Sequence, residues 1–290
     1  MNIIAAPGTD LGPRWPEVRH DAEQLLADGR VRDAFRLALR HQAARPSEEA
    51  AAFLCETFRQ AHIRFAMVML QGIGNMMMLT PAIRALKRLF PRSRLEVVGK
   101  YPALDVIKGW SLVDACTELD AYDPTGERDA LLLSMWSGVF QRRYENAPAA
   151  GATPQVVISF NDPMRHESEF HLDMARMLGF GEQKPDPYCV TEEAPLPFCG
   201  DGRAALLADT SNPDPEWQKK RWPYFRQLAG RLLERGFQVG LIGGPMEAQA
   251  FEPSDWPPGV IALMGKYSIP QTAYLIEQAD LLVANDSGPA

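Results

Sequence analysis

The chain has 290 residues, enough for two domains, and its apolar (46%) and charged (23%) contents are ordinary for a soluble globular protein. Its 30 basic and 37 acidic residues give a net charge of −7. That balance argues against the broad basic face that nucleic-acid binding requires. We therefore expect no nucleic-acid partner.

Cysteine usage and the lack of long apolar runs indicate a cytoplasmic protein. No Cys-x-x-Cys pair occurs and no histidine stands at ligand spacing, so neither a structural zinc site nor another metal site is expected. The chain's start lacks the basic segment of a signal peptide, and no apolar run reaches transmembrane length. Reduced structural thiols are expected at Cys55, Cys116, Cys189 and Cys199.

Residues 16 to about 64 carry helical periodicity. Two apolar stripes are separated by Gly29, and Ser47, followed by two acidic residues, starts a third helix. The pattern resembles one tetratricopeptide-type hairpin, although an array needs about three repeats. Two interpretations stay open for this helical extension (residues 1–64): a module that binds a protein partner, or a prefix packed on the next domain.

After the prefix the pattern changes to alternating strands and helices. Residues 65–70 form a buried apolar strand, 71–75 a glycine turn, and 80–90 a helix with Pro81 near its first turn. Residues 95–98 form the next strand. Such a β-α-β unit predicts parallel strands joined by a right-handed crossover.

The same pattern continues and is then interrupted once. Further strands are predicted over 130–133 and 156–160, and a helix over 171–178. A segment rich in proline and acidic residues, 185–197, has the composition of a linker between domains. The first α/β domain is therefore placed at 65–190.

The pattern restarts after the linker and predicts a second α/β domain over residues 198–290. Two Rossmann-like domains facing a cleft are the expected fold, and ligands of such sheets bind at the carboxyl ends of the strands. The predicted elements are strands over 204–208, 237–242 and from Leu281, with helices over 223–235 and 270–278.

Motifs with anion-binding chemistry follow the strands of the second domain. Lys220 could neutralise phosphate as a compact charge, and Glu247 could accept hydrogen bonds from a ribose. Asp286, Ser287 and Gly288 follow an apolar strand, where a hydroxyl and exposed amides can donate to an anion. Each motif alone is equally typical of a solvated loop or plain turn, but together they converge on one rim.

The Gly72-x-Gly74 turn in the first domain is a weaker signal. It lacks the third glycine of a dinucleotide fingerprint, and no acidic residue ends the next strand. A tight strand-to-helix turn and a backbone that lets a substrate lie close are both compatible with it.

In series, these motifs resemble glycosyltransferase family 9, the ADP-heptose:lipopolysaccharide heptosyltransferases and their relatives. The resemblance spreads over residues 65–290 and leaves the helical prefix outside. The stretches that carry it are Gly72-Ile73-Gly74-Asn75 with the helix that follows, Lys220-Arg221-Trp222-Pro223, Gly243-Gly244-Pro245, Met264-Gly265-Lys266, and the run from Ala279 to Pro289.

The resemblance implies a GT-B fold, with the acceptor on the first domain, beside Gly72 and Gly74, and a nucleotide-sugar donor on the second. Lys220 and the loop from Asp286 to Gly288 would hold the donor diphosphate, with Glu247 near the ribose. Such enzymes invert the anomeric centre without metal or cofactor. An ADP-sugar is the favoured co-substrate. A glycan or glycolipid acceptor, such as lipopolysaccharide core, would bring the protein to the inner face of the inner membrane.

Two departures from the family pattern bear on activity. The family places an aspartate base directly after the Gly-x-Gly turn, where this chain has Asn75, and an amide cannot take a proton at neutral pH. Asp162 or His166 could supply the base, or Asn75 could only position the acceptor. The family also continues with a histidine-containing helix, so we expect a C-terminally truncated donor domain.

Two other functions remain open at this stage. A non-catalytic scaffold that binds sugar or nucleotide, with a partner-binding helical prefix, is favoured by Asn75. A nucleotide-sugar epimerase on the same two-domain plan rests on fold analogy alone.

Overall fold

The chain divides into two compact units, Met1–Tyr188 and Cys189–Ala290, each built on its own parallel sheet. Asp162 and Cys199 lie outside the residues that the structure describes. The computed structural model describes residues 13–123, 126–134, 156–160, 164–198, 202–209 and 219–290.

The N-terminal unit opens with three helices, as the apolar stripes predict. Gly29 takes a left-handed φ of 75° between the first two, a conformation that glycine adopts without strain. Ser47 caps the third, its hydroxyl accepting from the backbone N–H of Ala50 at 3.1 Å. The helices are α1 (Trp15–Ala27), α2 (Val31–Ala44) and α3 (Glu48–Phe58).

The sheet of this unit has five strands in the order β3-β2-β1-β4-β5, all parallel. Phe65 on the central strand stands opposite Leu95 on one side and Ala130 on the other. The edge strand β3 is short and part-exposed, and no apolar run marks it in the sequence. The strands are β1 (Arg64–Val68), β2 (Arg94–Gly99), β3 (Ala115–Glu118), β4 (Ala130–Ser134) and β5 (Val156–Phe160).

The helix after β1, α4 (Ile73–Leu89), corrects two expectations. It begins at Ile73 rather than Thr80, so the predicted glycine turn is its first turn, with Gly72 as N-cap. Pro81 consequently lies inside the helix and not near its start. The methionine-rich run after Gly74 has high helix propensity, which explains the earlier start.

Thr80 compensates for the proline inside α4. Pro81 has no N–H to donate to the carbonyl of Met77, and the Thr80 hydroxyl donates to that carbonyl instead, at 2.6 Å. The same hydroxyl accepts from the backbone N–H of Tyr188 at 2.8 Å. Thr80 thus holds the end of the N-terminal unit against α4.

The helix after β5, α5 (Glu167–Arg176), also begins earlier than predicted, at Glu167 rather than His171. Glu167 and Glu169 lie in its first turn, where the helix dipole favours negative charge. These acidic residues are the sequence signal for the true start.

An aromatic cluster packs the helical prefix on the sheet. Phe35 of α2 is fully buried and meets Phe58, Phe65 and Phe90 edge-on at centroid distances of 5.3, 5.8 and 5.9 Å. The prefix therefore shares a core with β1 and the end of α4, as one of the two sequence interpretations requires.

A buried carboxylate adds a polar tie at the same junction. Asp129, fully buried before β4, accepts from Arg36 at 2.7 Å and from Arg32 at 2.9 Å. Its other oxygen accepts from the backbone N–H of Arg64 at 2.9 Å. One side chain thus links α2, the start of β1 and the approach to β4.

The C-terminal unit has four parallel strands in the order β8-β7-β6-β9. The predicted bounds of β6 and of the strand at Leu281 are confirmed. The helix expected from Pro223 begins at Phe225, and a short helix follows Gly244, where a plain turn is one of the two interpretations of the sequence. The elements are β6 (Ala204–Ala208), α6 (Phe225–Glu234), β7 (Gln238–Leu241), α7 (Pro245–Gln249), β8 (Ile261–Ala262), α8 (Ile269–Gln278) and β9 (Leu281–Ala284).

We predict that Asp129→Ala lowers the free energy of unfolding by about 3–5 kcal/mol, because it leaves the guanidinium of Arg36 buried without its main partner. Urea denaturation measures the loss. Asp21→Ala, at an exposed position on α1, is the control and should change stability by no more than about 0.5 kcal/mol. A loss of similar size in both variants would contradict the anchoring role of Asp129.

Candidate functional site

The first candidate site lies at the carboxyl edge of the N-terminal sheet. Because the strands are parallel, the end of β1, before α4, and the end of β5, before α5, fall at the same edge. Gly72 there has a φ of −78°, which any residue adopts, and Gly74 lies in the first turn of α4. The Gly72-x-Gly74 turn is therefore the start of α4, and side chains in this first helical turn can face a ligand at the sheet edge.

Asn75 joins the two helix starts. Its Oδ1 accepts from the backbone N–H of Gly72 at 3.1 Å, which caps α4. Its Nδ2 donates to both carboxylate oxygens of Glu167, at 2.8 and 2.7 Å. A carboxylate thus lies in direct contact with Asn75, the position at which the resemblance implies an aspartate.

Glu167 also contacts His171, one turn further along α5. Glu167 Oε1 and His171 Nε2 are 3.0 Å apart. Since an ionised carboxylate only accepts, this nitrogen carries the proton and donates. The side chain of His171 is fully buried, whereas that of Glu167 is 16% exposed. We refer to Asn75, Glu167 and His171 as the Asn-Glu-His cluster.

Burial and hydrogen bonding set the charge states in this cluster. Burial raises the pKa of Glu167, but the hydrogen bonds from His171 and Asn75 outweigh it and hold that pKa below its usual value. Burial lowers the pKa of His171, against the opposing effect of Glu167. At neutral pH the cluster therefore contains an ionised carboxylate and a neutral imidazole.

Of the two substitute bases that the sequence suggests, the structure describes His166 alone. His166 is the N-cap residue of α5, and its Nδ1 lies 2.9 Å from the hydroxyl of Ser168. Asp162 falls outside the described residues. Sequence reasoning missed Glu167, and the acidic first turn of α5 is the one signal that could have drawn attention to it.

The second candidate site lies at the carboxyl edge of the C-terminal sheet. Asp209 follows β6, Gly244 follows β7, and Asn285 follows β9, so the loops after three parallel strands begin at the same edge of the sheet. The predicted convergence of Lys220 with the residues after β9 is observed, since Lys220 and Asp286 form an ion pair. The Lys220 cation is therefore held at the rim by the carboxylate of Asp286.

Asn285, which the sequence analysis did not single out as a site residue, fastens this rim. It is buried, and its Oδ1 accepts from the backbone N–H of Trp222 at 2.9 Å. The hydroxyl of Ser287 donates to the Asn285 carbonyl at 3.2 Å. Arg221, next to Lys220, is bonded to Asp209 at 2.9 Å. Asn285 thus fixes the basic segment against the loop that contains Asp286, Ser287 and Gly288.

A cavity of about 250 Å³ opens beside this rim and places Glu247 on its wall. Glu247 Oε2 accepts from the backbone N–H of Gly244 at 2.9 Å, so the carboxylate also caps α7. The cavity combines apolar walls with two carboxylates and two guanidinium groups. It is lined by Asp209, Arg221, Arg226, Leu241, Ile242, Met246, Glu247, Ala250, Phe251, Trp256 and Met264.

Comparison with known protein families shows which family the C-terminal unit is similar to. Residues 197–290 match the family model described as glycosyltransferase family 9 (heptosyltransferase). The C-terminal unit is thus similar to glycosyltransferase family 9 over nearly its whole length. This confirms the resemblance indicated by the motifs of the second half. No curated protein sequence matches the chain.

Solved structures extend the likeness in fold beyond the C-terminal unit. The glycosyl transferase family 9 protein of Veillonella parvula DSM 2008 is 17% identical, with 78% of this chain and 77% of that one covered and a TM-score of 0.61. ADP-heptose lps heptosyltransferase II of E. coli is 15% identical, with 78% and 80% covered and a TM-score of 0.58. E. coli heptosyltransferase WaaC with ADP is 15% identical, with 78% and 82% covered and a TM-score of 0.57. The α/β fold class is thereby confirmed as that of the GT-B heptosyltransferases.

Two further features bear on membranes and metals. In the described part of the chain, no helix combines the length and apolarity needed to cross a bilayer. Within the same residues, His, Cys, Asp and Glu side chains form no group of three that could hold a metal ion.

We predict that stability falls as the pH drops below 6.5, the ordinary histidine pKa, because the unfolded chain then binds a proton that buried His171 resists. The loss is at most about 1.4 kcal/mol per pH unit for this proton. Below 4.5 the lowered pKa of Glu167 adds a second loss. Thermal unfolding between pH 7.5 and about pH 4 measures both.

His171→Gln should flatten the fall just below pH 6.5, and His62→Gln, at an exposed position, should leave it unchanged. An identical pH dependence in wild type and His171→Gln would show that the cluster is not charged as described.

Proposed function

We propose that this chain is a glycosyltransferase that moves a heptose-like sugar from a nucleoside diphosphate donor, with an ADP-sugar favoured, to a glycan or glycolipid acceptor. The observation that carries the proposal is the match of residues 197–290 to the heptosyltransferase family model, with Lys220 held at the strand ends of that domain. The E. coli relative of the same fold contains ADP.

The donor diphosphate is proposed to bind at Lys220 and the loop from Asp286 to Gly288. The ion pair with Asp286 orients the lysine but also puts a negative charge at the rim, so a diphosphate must share the cation or displace the carboxylate. Backbone N–H groups of the loop can donate to phosphate oxygens. Glu247 lies on the wall of the adjoining cavity, where a nucleoside could place its ribose.

The proposed reaction inverts the anomeric carbon in one displacement and uses no metal or cofactor. A base removes the proton from the acceptor hydroxyl, and the oxygen attacks the anomeric carbon as its bond to the diphosphate breaks. The charge that develops on the leaving diphosphate is stabilised by Lys220. The acceptor would lie beside Gly72 and Gly74, at the edge that holds Asn75.

Lipopolysaccharide core is the proposed acceptor, which would place the protein in the cytoplasm, in peripheral contact with the inner membrane. The motif series and the fold of the lps heptosyltransferase from E. coli support this choice. A protein partner for the helical prefix (residues 1–64) remains part of the proposal. The alternative function, a non-catalytic scaffold that binds the donor without turning it over, is favoured by Asn75 in place of an aspartate.

We predict that calorimetry detects ADP binding, with a preference over UDP and GDP, and that Lys220→Ala weakens it at least tenfold. The reason is the loss of a charge-assisted contact with phosphate, which is worth about 1.5–3 kcal/mol. Arg231→Ala, which removes a positive charge at an exposed position on α6, is the matched control and should bind ADP as the wild type does.

Equal weakening in both variants would point to a general charge effect rather than a site at Lys220. If no nucleotide binds the wild type, the proposed donor site is wrong.

A further inference from the structure

The hydrogen bonds of Asn75 require an acceptor beside its Nδ2. Its Oδ1 is engaged by the Gly72 N–H, so its Nδ2 must face Glu167 and donate. An aspartate at this position would set two carboxylates within hydrogen-bond distance, and both could not stay ionised cheaply. The amide at 75 and the carboxylate at 167 are therefore a complementary pair, with the negative charge on Glu167.

Within the Asn-Glu-His cluster, only Glu167 combines charge with access to solvent. His171 is fully buried and donates to Oε1, which also accepts from Asn75. Among the described residues, the other oxygen, Oε2, accepts from Asn75 alone and retains a free lone pair. An acceptor hydroxyl at this edge of the sheet can donate to that oxygen.

We propose that Glu167 is the general base of the glycosyl transfer, an inference that rests on the proposed function. The acceptor O–H proton passes to Glu167 Oε2, and the acceptor oxygen forms a bond to the anomeric carbon. The bond between that carbon and the diphosphate oxygen breaks, and its electron pair leaves with the nucleoside diphosphate. Glu167 then releases the proton to water, so the enzyme is regenerated.

Asn75 and His171 act as positioning residues for this carboxylate. Asn75 reaches it from α4 and His171 from its own helix, so its two oxygens are held from two directions. Among the residues that the structure describes, His166 and His171 are the titratable groups that act on Glu167, and α4 presents the neutral amide of Asn75. Near neutral pH the Glu167 carboxylate is therefore ionised and can accept a proton.

The first test compares wild type with Glu167→Gln, using ADP-heptose as donor and lipopolysaccharide from heptosyltransferase-deficient cells as acceptor. We expect kcat to fall by about 10²–10⁴-fold, the usual effect of removing a general base, while calorimetry shows unchanged ADP affinity. Glu169→Gln, two residues along the same helix and engaged with Arg176 and Lys184, is the matched control and should keep wild-type kcat.

The second test exchanges the two groups. The double variant Asn75→Asp/Glu167→Gln puts the carboxylate on α4 and the amide on α5 while the hydrogen bond between them can still form. We expect it to recover at least tenfold in kcat over Glu167→Gln, and the pH profile of Glu167→Gln itself is the readout that a purely structural role of Glu167 would not move. The acid limb of the kcat/KM profile should be present in wild type and the double variant and absent from Glu167→Gln.

Several outcomes would overturn the assignment. An unchanged kcat in Glu167→Gln would overturn it directly. A lowered kcat in Glu167→Gln would also overturn it if the acid limb of the kcat/KM profile persists and the double variant recovers no activity. A wild type that binds ADP but transfers no heptose has no working base, while the donor site stands. A wild type that binds neither ADP nor ADP-heptose overturns the proposed function first.

Discussion

Both candidate sites depend on one constraint, the parallel arrangement of the strands. In a parallel sheet every strand ends at the same edge, so the loops and helix starts that follow converge there whatever their separation along the chain. Asn75 and Glu167 are 92 positions apart and still share two hydrogen bonds. In the C-terminal unit the same rule brings Asp209, Gly244 and Asn285 to one rim.

The sheets in turn depend on interior contacts that local patterns do not reveal. Phe35 and Asp129 attach the helical prefix to β1 and the approach to β4, one through ring packing and the other through a buried ionic tie. Phe35 belongs to the apolar stripe that predicts α2, but the stripe does not indicate which rings it meets, and an isolated aspartate has no periodic signature. The prefix is therefore predictable as helical, but its attachment is not.

Local sequence patterns predicted much of the fold. The apolar runs at β6 and β9 have the expected bounds because continuous apolar residues between turn signals define a parallel strand, although β6 is buried whereas β9 is a half-buried edge strand. In the sequence, Pro81 indicates a first helical turn, but α4 begins about two turns earlier because the Thr80 hydroxyl supplies, inside the helix, the hydrogen bond that the proline cannot donate. The strands β3 and β8 are short and only partly buried, so periodicity could not mark them.

The candidate sites likewise contain some features that the sequence predicts and others that it does not. The pairing of Lys220 with Asp286 follows from motifs at successive strand ends, and residues 197–290 match the family that the motifs indicate. Glu167 and Asn285 were missed because their importance lies in partners far along the chain. The substitution at Asn75 reads as a lost base in the sequence, whereas in the structure the amide lies against a carboxylate from another helix.

The most direct measurement is mass spectrometry of lipopolysaccharide from heptosyltransferase-deficient cells after incubation with the protein and ADP-heptose. The account predicts acceptor molecules heavier by one heptosyl residue, with one ADP released for each. ADP-heptose that binds but remains intact, with the acceptor mass unchanged, would contradict the account and leave the scaffold function in its place.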